Sequence, residues 1–482
     1  MLFSSPWFFA FLALVLAWLA LPWSVDAKKR WLALASCLFY AAWDYRYLGL
    51  LLFISAVDYG CARRIADAPQ PRQRRGWLMA SLVSNLGLLA YFKYTNFLID
   101  SLNGPLALAG FSLPHANILL PAGISFYTFK TMSYVIDVYR RELEPVDSLA
   151  DYVTFVTFFP ELIAGPIVRA SVLLPQLKRN IGPTVDGLAA GLSIFLVGYT
   201  KKLIADRLGV MIDPVFAHPQ RFDGLTLLGA TLGYSCQILC DFSGYSDMAV
   251  GTARTIGYDL PENFALPYLS ANVAEFWRRW HMTLSSWLRD YLYVPLGGNR
   301  KGEVRTYVNL MATMLLGGLW HGASWNFVLW GGLHGVALAL HRLAKARFPR
   351  LALPPVLGAC FTFAFVTLAW IPFRAQTFGQ SLALVRGLFG WQAGLRWQSA
   401  ELWWLLGVVA FGHVAGAWLS RGNRTRALLA KFDLRLVRDE LSGWYLRFGI
   451  GTVAGVWLVV TWILLALLFA PTKVSPFIYF QF

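Results

Sequence analysis

Charge is scarce in this sequence. Asp, Glu, Lys and Arg make up 14% of the 482 residues, against 57% hydrophobic, where a soluble domain carries about a quarter charged residues. The scarcity excludes an ordinary water-soluble fold and points to a polytopic membrane protein surrounded by lipid. Acidic residues are the rarer sign, 26 against 42 Lys and Arg, for a net charge of +16. No nucleic-acid partner is expected from that excess, because the basic residues cluster in short loops between apolar runs, as the positive-inside rule requires. Cysteine is sparse and odd in number, at positions 37, 61, 236, 240 and 360. Only Cys236 and Cys240 lie one helical turn apart and no further ligand has zinc-like spacing, so core packing is expected and a bound metal is not. Residues 1 to 6 lack the basic start of a cleavable leader, and the first apolar run ends in Leu-Pro-Trp, so a retained first helix is expected. The chain also lacks a Gly-x-Ser-x-Gly elbow, tight His-x-x-x-His spacing, and any repeat relating its halves. The last two absences argue in turn against a haem or metal protein and an exporter of polymer or lipid-linked sugar.

Apolar runs fill the chain, among them Trp7 to Leu21, Tyr47 to Ala62, Trp77 to Phe92, Leu225 to Ile238, Leu353 to Ile371, Leu402 to Leu419 and Gly449 to Phe469. Several are shorter than the roughly 20 residues of a spanning helix, so tilted, broken or re-entrant elements are expected. The basic segments Lys28 to Arg30, Arg63-Arg64 with Arg72 to Arg75, Arg140-Arg141, Arg300-Lys301, Arg342 to Arg350 and Arg421 to Arg438 should all face the cytoplasm. Both termini then lie outside, with roughly ten or twelve crossings. The expected fold class is an all-α polytopic membrane protein with re-entrant and interfacial helices. It forms one embedded domain over 1–482: peripheral helices in 1–92, a chemical core in 118–345, C-terminal helices in 351–470 and an outer aromatic tail in 471–482. Asp58, followed by Arg63-Arg64, reads as a helix end.

The chemistry concentrates between Asn272 and Gly335. Asn272 with Glu275 has the form of a capping box, so a helix should start there and carry Trp277, His281, Leu284 and Leu288 on one face, with Arg278 on the next. Arg278 and Arg279 make this helix suited to the cytoplasmic interface. His321 follows Trp320 in an uncharged run that ends at Asn326. An isolated ionisable group in such a setting is costly, which marks it as functional. The run between Arg300-Lys301 and Arg342 must enter the membrane and return, placing His321 deep, near the turn, where Gly317-Gly318 and Gly331-Gly332 permit close helix approach. Upstream, Phe159-Pro-Glu161-Leu-Ile-Ala-Gly-Pro166 fits a broken element, with Glu161 as a site wall or a salt-bridged structural acid. Asp241 and Asp247 form either an acid/base pair or, preferably, groups that orient a histidine. Tyr479, in the terminal Ser475-Pro-Phe-Ile-Tyr-Phe-Gln-Phe, reads on its own as an interfacial belt residue.

The blocks Pro121-Ala-Gly-Ile-Ser-Phe-Tyr, Phe159-Pro-Glu-Leu-Ile-Ala-Gly-Pro-Ile-Val-Arg, Asp241-Phe-Ser-Gly-Tyr-Ser-Asp, Pro261-Glu-Asn-Phe, Phe276-Trp-Arg-Arg-Trp-His, Leu296-Gly-Gly-Asn-Arg and Gly317-Gly-Leu-Trp-His-Gly resemble the membrane-bound O-acyltransferases. The likeness is greatest to the bacterial members serving alginate O-acetylation. The resemblance implies a ring of helices around a thin central core, with His321 as the essential histidine and His281 as the second. It implies an acetyl group taken from a cytoplasmic thioester, acetyl-CoA, with no bound cofactor, and delivered across the bacterial inner membrane to a secreted polysaccharide. Alginate is the first expectation, with cellulose or peptidoglycan as alternatives, and a periplasmic acetyltransferase as partner. Relatives that transfer D-alanine carry a similar aromatic tail on an accessory peptide, which makes Tyr479 a candidate acyl relay.

Overall fold

Hydroxyl and amide side chains begin many of the helices in this computed structural model, which describes residues 3–179, 182–350, 353–421, 429, 434–449 and 452–468. Ser5, Ser24, Ser148, Asn272, Ser324 and Thr377 each accept a hydrogen bond from a backbone N–H of the first turn, satisfying donors that the helix itself leaves open. The chain is mainly α-helical, as composition and periodicity require. Six helices among the described residues are long and apolar enough to cross a bilayer. Two compact units are present, Met1–Leu192 with Ala249–Pro261, and Ser193–Met248 with Glu262–Phe482.

The first unit holds α1 (Pro6–Ala20), α2 (Val25–Asp67), α3 (Pro71–Leu89), α4 (Thr95–Ala107), α5 (Ile124–Arg140), α6 (Leu149–Thr157) and α7 (Ala170–Leu177). α2 turns back at Asp44, whose φ of −159° and ψ of 111° are not helical. Both ends of α2 therefore reach the same short stretch. Lys29 pairs with Asp151 at 2.8 Å, while Tyr59 Oη and Arg63 Nη1 donate to the carbonyl of Asp147. The two basic clusters of α2 are thereby brought to the same end of the helical pair. Asp58 is not at a helix end. It is fully buried in the second limb of α2, accepting from Ser81 Oγ at 2.6 Å and Asn85 Nδ2 at 2.9 Å, and Thr131 Oγ1 donates to Asn85 Oδ1. A carboxyl can stay in an apolar bundle when its lone pairs are occupied in this way. Its role is to tie α2, α3 and α5 together.

The second unit takes in most of α8 (Val185–Ala217) and α9 (Gly224–Thr255), then α10 (Val273–Arg279), α11 (Met282–Leu288), α12 (Glu303–His321), α13 (Trp325–Arg347), α14 (Pro355–Arg374), α15 (Phe378–Phe389), α16 (Ala400–Arg421) and α17 (Val453–Leu468). α12 and α13 pack against each other as a helical hairpin. One glycine of each expected doublet makes the close approach: a methyl group on Gly318 would collide with the Phe327 carbonyl, and one on Gly331 with the Met314 carbonyl. Gly332, by contrast, meets only the side chain of Leu315 at ordinary contact distance. A small addition to the helical plan is an antiparallel hairpin of β1 (Leu434–Asp439) and β2 (Gly443–Phe448). Phe448 N donates to Ser193 Oγ, its ring meets Trp462, and the Leu441 carbonyl in the turn accepts from Glu262 N at 2.8 Å.

Candidate active site

The helix expected from Asn272 through Leu288 is broken. Asn272 does cap α10, receiving Glu275 N at 2.9 Å, but Glu275 Oε2 reaches back to Ala271 N rather than to the cap itself. α10 then stops at Arg279, and α11 starts at Met282. Between them His281 adopts φ 44° and ψ 54°, a left-handed conformation that disfavours a non-glycine residue. His281 therefore does not share a helix face with Trp277 and Leu288. The break turns its ring into the protein, where it is fully buried, edge-on to Phe242 at 4.6 Å between centroids.

His321 ends α12, and the extended Gly322 prevents the helix from running on. The two histidine rings lie 6.3 Å apart. Trp320, Trp330 and Phe373 stand at 5.0, 5.1 and 5.5 Å from the His321 ring, so the pair sits in an aromatic enclosure. Such walls exclude water, which strengthens electrostatic interactions inside them. His281 lies outside the six long apolar helices, and burial pushes its imidazole down to about 3, leaving it neutral at physiological pH. A third buried histidine, His334 on α13, accepts from Trp277 Nε1 at 3.3 Å and packs edge-on to Trp330. It anchors α10 to α13, a role that Trp277 and His334 in the sequence did not reveal.

The remaining candidate residues divide between these rings and other work. Asn326 is buried in the first turn of α13, and its amide donates to the Ala375 carbonyl at 2.8 Å, clipping α13 to the end of α14. Asp241 pairs with Lys202 at 2.8 Å, and Lys202 also holds Asp206 at 2.7 Å. Asp247 pairs with Lys201 at 2.6 Å. The acids of α9 thus meet the lysines of α8, whereas His281 Nδ1 meets Asn263 Oδ1 at 3.1 Å. Arg279 pairs with Glu275 at 2.6 Å, and Arg278 is exposed on α10. Tyr479 lies outside the described residues. Among those residues, no three of His, Cys, Asp or Glu gather closely enough to hold a metal ion.

Glu161 belongs to the first unit. It sits in the irregular, fully buried stretch from 158 to 168, as its two prolines suggest. Lys130 of α5 donates to Glu161 Oε1 and to the Phe155 carbonyl. Phe126, Tyr127, Lys130, Glu161 and Pro166 line a small cleft there. Removing one member of a buried ion pair strands the other. Lys130→Met is therefore expected to destabilise the protein by about 3–5 kcal/mol in unfolding experiments in detergent, with much of the loss recovered in Lys130→Met/Glu161→Leu. Equal stability of the single and double variants would remove this pairing role. Lys130, Lys201 and Lys202 were detectable in principle, because a lysine inside an apolar frame needs an acid. Lys202 has one four residues on, in Asp206.

Known proteins give the geometry its chemical setting. A probable alginate O-acetylase, AlgI, of Pseudomonas aeruginosa is 44% identical over 77% of this chain and 71% of its own length. A peptidoglycan O-acetyltransferase of Helicobacter pylori is 39% identical over 75% and 74% respectively. A teichoic acid D-alanyltransferase of Bacillus subtilis is 28% identical over 55% of this chain and 71% of its own. Residues 37–378 match the MBOAT family, the membrane-bound O-acyltransferases, a span that takes in His281, His321 and His334, the α12–α13 pair and the irregular segment around Glu161. With family, apolar helices and enclosed imidazoles in agreement, the chain belongs to the membrane-bound O-acyltransferases.

Proposed function

We propose that this protein moves acetyl groups from a cytoplasmic thioester, acetyl-CoA, across the bacterial inner membrane for O-acetylation of a secreted polysaccharide. Alginate is the first candidate polymer. Peptidoglycan is the alternative that the Helicobacter pylori relative supports, and cellulose is a further one. The observation that carries the proposal is the enclosed pair of imidazoles, 6.3 Å apart, with His321 at the closed end of a helix pair.

In this reading His321 is the general base. It takes the proton of an acceptor hydroxyl as that oxygen attacks the thioester carbonyl. The carbon–sulfur bond then breaks, and the imidazolium returns the proton to the leaving thiolate. The carbonyl end of α12 stabilises the positive charge while it exists. Trp320 walls the site, and Asp241 and Asp247 support it indirectly by fixing α8 to α9. His281 acts beside His321, and Arg278 is available at the surface to an anionic donor. The acceptor is the Tyr479 hydroxyl or that of a periplasmic acetyltransferase, which completes transfer to the polymer, and both termini lie in the periplasm.

The test is the O-acetyl content of polymer secreted by a deletion strain carrying the wild-type gene or an empty vector. Loss of acetyl groups with unchanged secretion supports the reading; loss of secretion sinks it. The relay step has its own measurement. Tyr479→Phe is expected to cut acetylation at least tenfold at an unchanged level of membrane protein, and full acetylation would assign the acceptor role to a partner instead.

A further inference from the structure

One residue grips the break between α10 and α11 at three consecutive positions. The backbone carbonyl of Asn263 accepts from Met282 N at 3.0 Å. Its side-chain oxygen accepts from Thr283 N at 3.2 Å and Thr283 Oγ1 at 2.9 Å, and lies 3.1 Å from His281 Nδ1. The side-chain nitrogen turns the other way, to Ser246 Oγ at 3.3 Å. Asn263 is itself buried. A backbone N–H only donates, so the amide atom facing Thr283 N has to be the oxygen. An amide oxygen only accepts, so His281 presents a proton to it from Nδ1. The lone pair of the neutral ring then resides on Nε2.

We infer that Asn263 is a positioning residue that locks His281 in the tautomer with a basic Nε2 and holds its backbone in the left-handed break. The inference rests on the reading of His281 as part of the acyl-transfer site and narrows what it does there. With Nε2 bearing the lone pair, neutral His281 receives a hydrogen bond or a proton and cannot donate one from that atom to the thioester carbonyl. Its task is to accept from the incoming hydroxyl or from its protonated neighbour, so stabilising charge on the carbonyl oxygen falls to other groups. A hydrogen-bond acceptor behind a working imidazole commonly fixes its tautomer and orientation in this manner.

The experiment measures the initial rate of polymer acetylation in the deletion strain, with membrane levels and melting temperatures of the full-length variants compared. Asn263→Asp keeps every acceptor contact and is expected to stay within about threefold of wild type. Asn263→Leu is expected to lower the rate by about 10–100-fold. Asn263→Leu added to His281→Ala should cost nothing more, because the asparagine acts through the histidine. An Asn263→Leu protein of normal rate, or a full additional loss in the double variant, overturns the positioning role. Should Asn263→Leu not accumulate, Asn263→Gln displaces the oxygen by one methylene; a reduced rate upholds the inference and an unchanged rate overturns it. If His281→Ala itself acetylates normally, the reading of the site has failed, a result separable from any failure at Asn263.

Discussion

Replacing His321 by alanine is expected to leave polysaccharide secreted in normal amount and essentially bare of acetyl groups, at least a hundredfold below wild type. A general base contributes roughly 10²–10⁴ in rate, and the enclosure around His321 offers few ways to replace it: Trp320, Trp330 and Phe373 cannot take a proton, and burial leaves His281, 6.3 Å away, a weak base. Truncation also leaves a void among large rings, which tends to destabilise a packed interior. His321→Gln is the control, since it retains most of the volume and a hydrogen-bonding group while losing basicity. Both variants should be inactive at matched membrane levels. An active glutamine variant beside an inactive alanine variant would mean that the ring fills space rather than moves protons, and the proposed chemistry would need another base.

Gly318→Val should be the most damaging substitution outside the two histidines. Its added carbons meet the Phe327 carbonyl, which belongs to α13 and cannot rotate away as a side chain would. α12 and α13 must then separate, and His321, three residues further along α12, moves with it. Overpacking typically costs about 1–3 kcal/mol, and collision with a rigid backbone falls at or above that range. The expected outcome is a clear drop in melting temperature in detergent together with loss of acetylation. Gly331→Val should behave alike, from the other side of the contact. Gly332→Ala points only at Leu315 and should melt within a degree or two of wild type. If Gly318→Val melts normally, the close approach of the two helices is not what holds His321 in place.

Those two glycines also show how far the sequence could be read. Paired glycines on both limbs of an apolar hairpin announce close packing, and a histidine beside them announces chemistry, because each has few other uses in such a setting. Which glycine of each pair makes the contact depends on helix rotation, and that is decided only by packing. The break at His281 was illegible for a stronger reason. No Gly or Pro interrupts Phe276 to Leu288, and local preference favours one continuous helix there. The conformation is imposed by Asn263, which reads from the sequence as an ordinary loop residue. The elbow of α2 is similar: Asp44 with Arg46 sits in a run that looks helical, and Tyr40, Tyr59 and Lys29 find their partners much later in the chain. The acids were visible and their lysines detectable, but the pairing of Asp241 and Asp247 with the lysines of α8 needed the fold.

The hairpin of β1 and β2 has a bearing on how the protein is made. Its turn holds Glu262 through the Leu441 carbonyl, and Glu262 is the neighbour of the asparagine that seats His281. During synthesis the histidine, its asparagine and the α12–α13 pair all leave the ribosome before residue 441 does. The chain can therefore insert most of its helices while the loop that shapes the chemical centre still lacks its last fastening. Until that fastening forms, the nascent protein would hold a loosely seated His281. The contact between Glu262 and the Leu441 carbonyl forms only after the hairpin has been made, so the loop that carries Asn263 gains it late in synthesis.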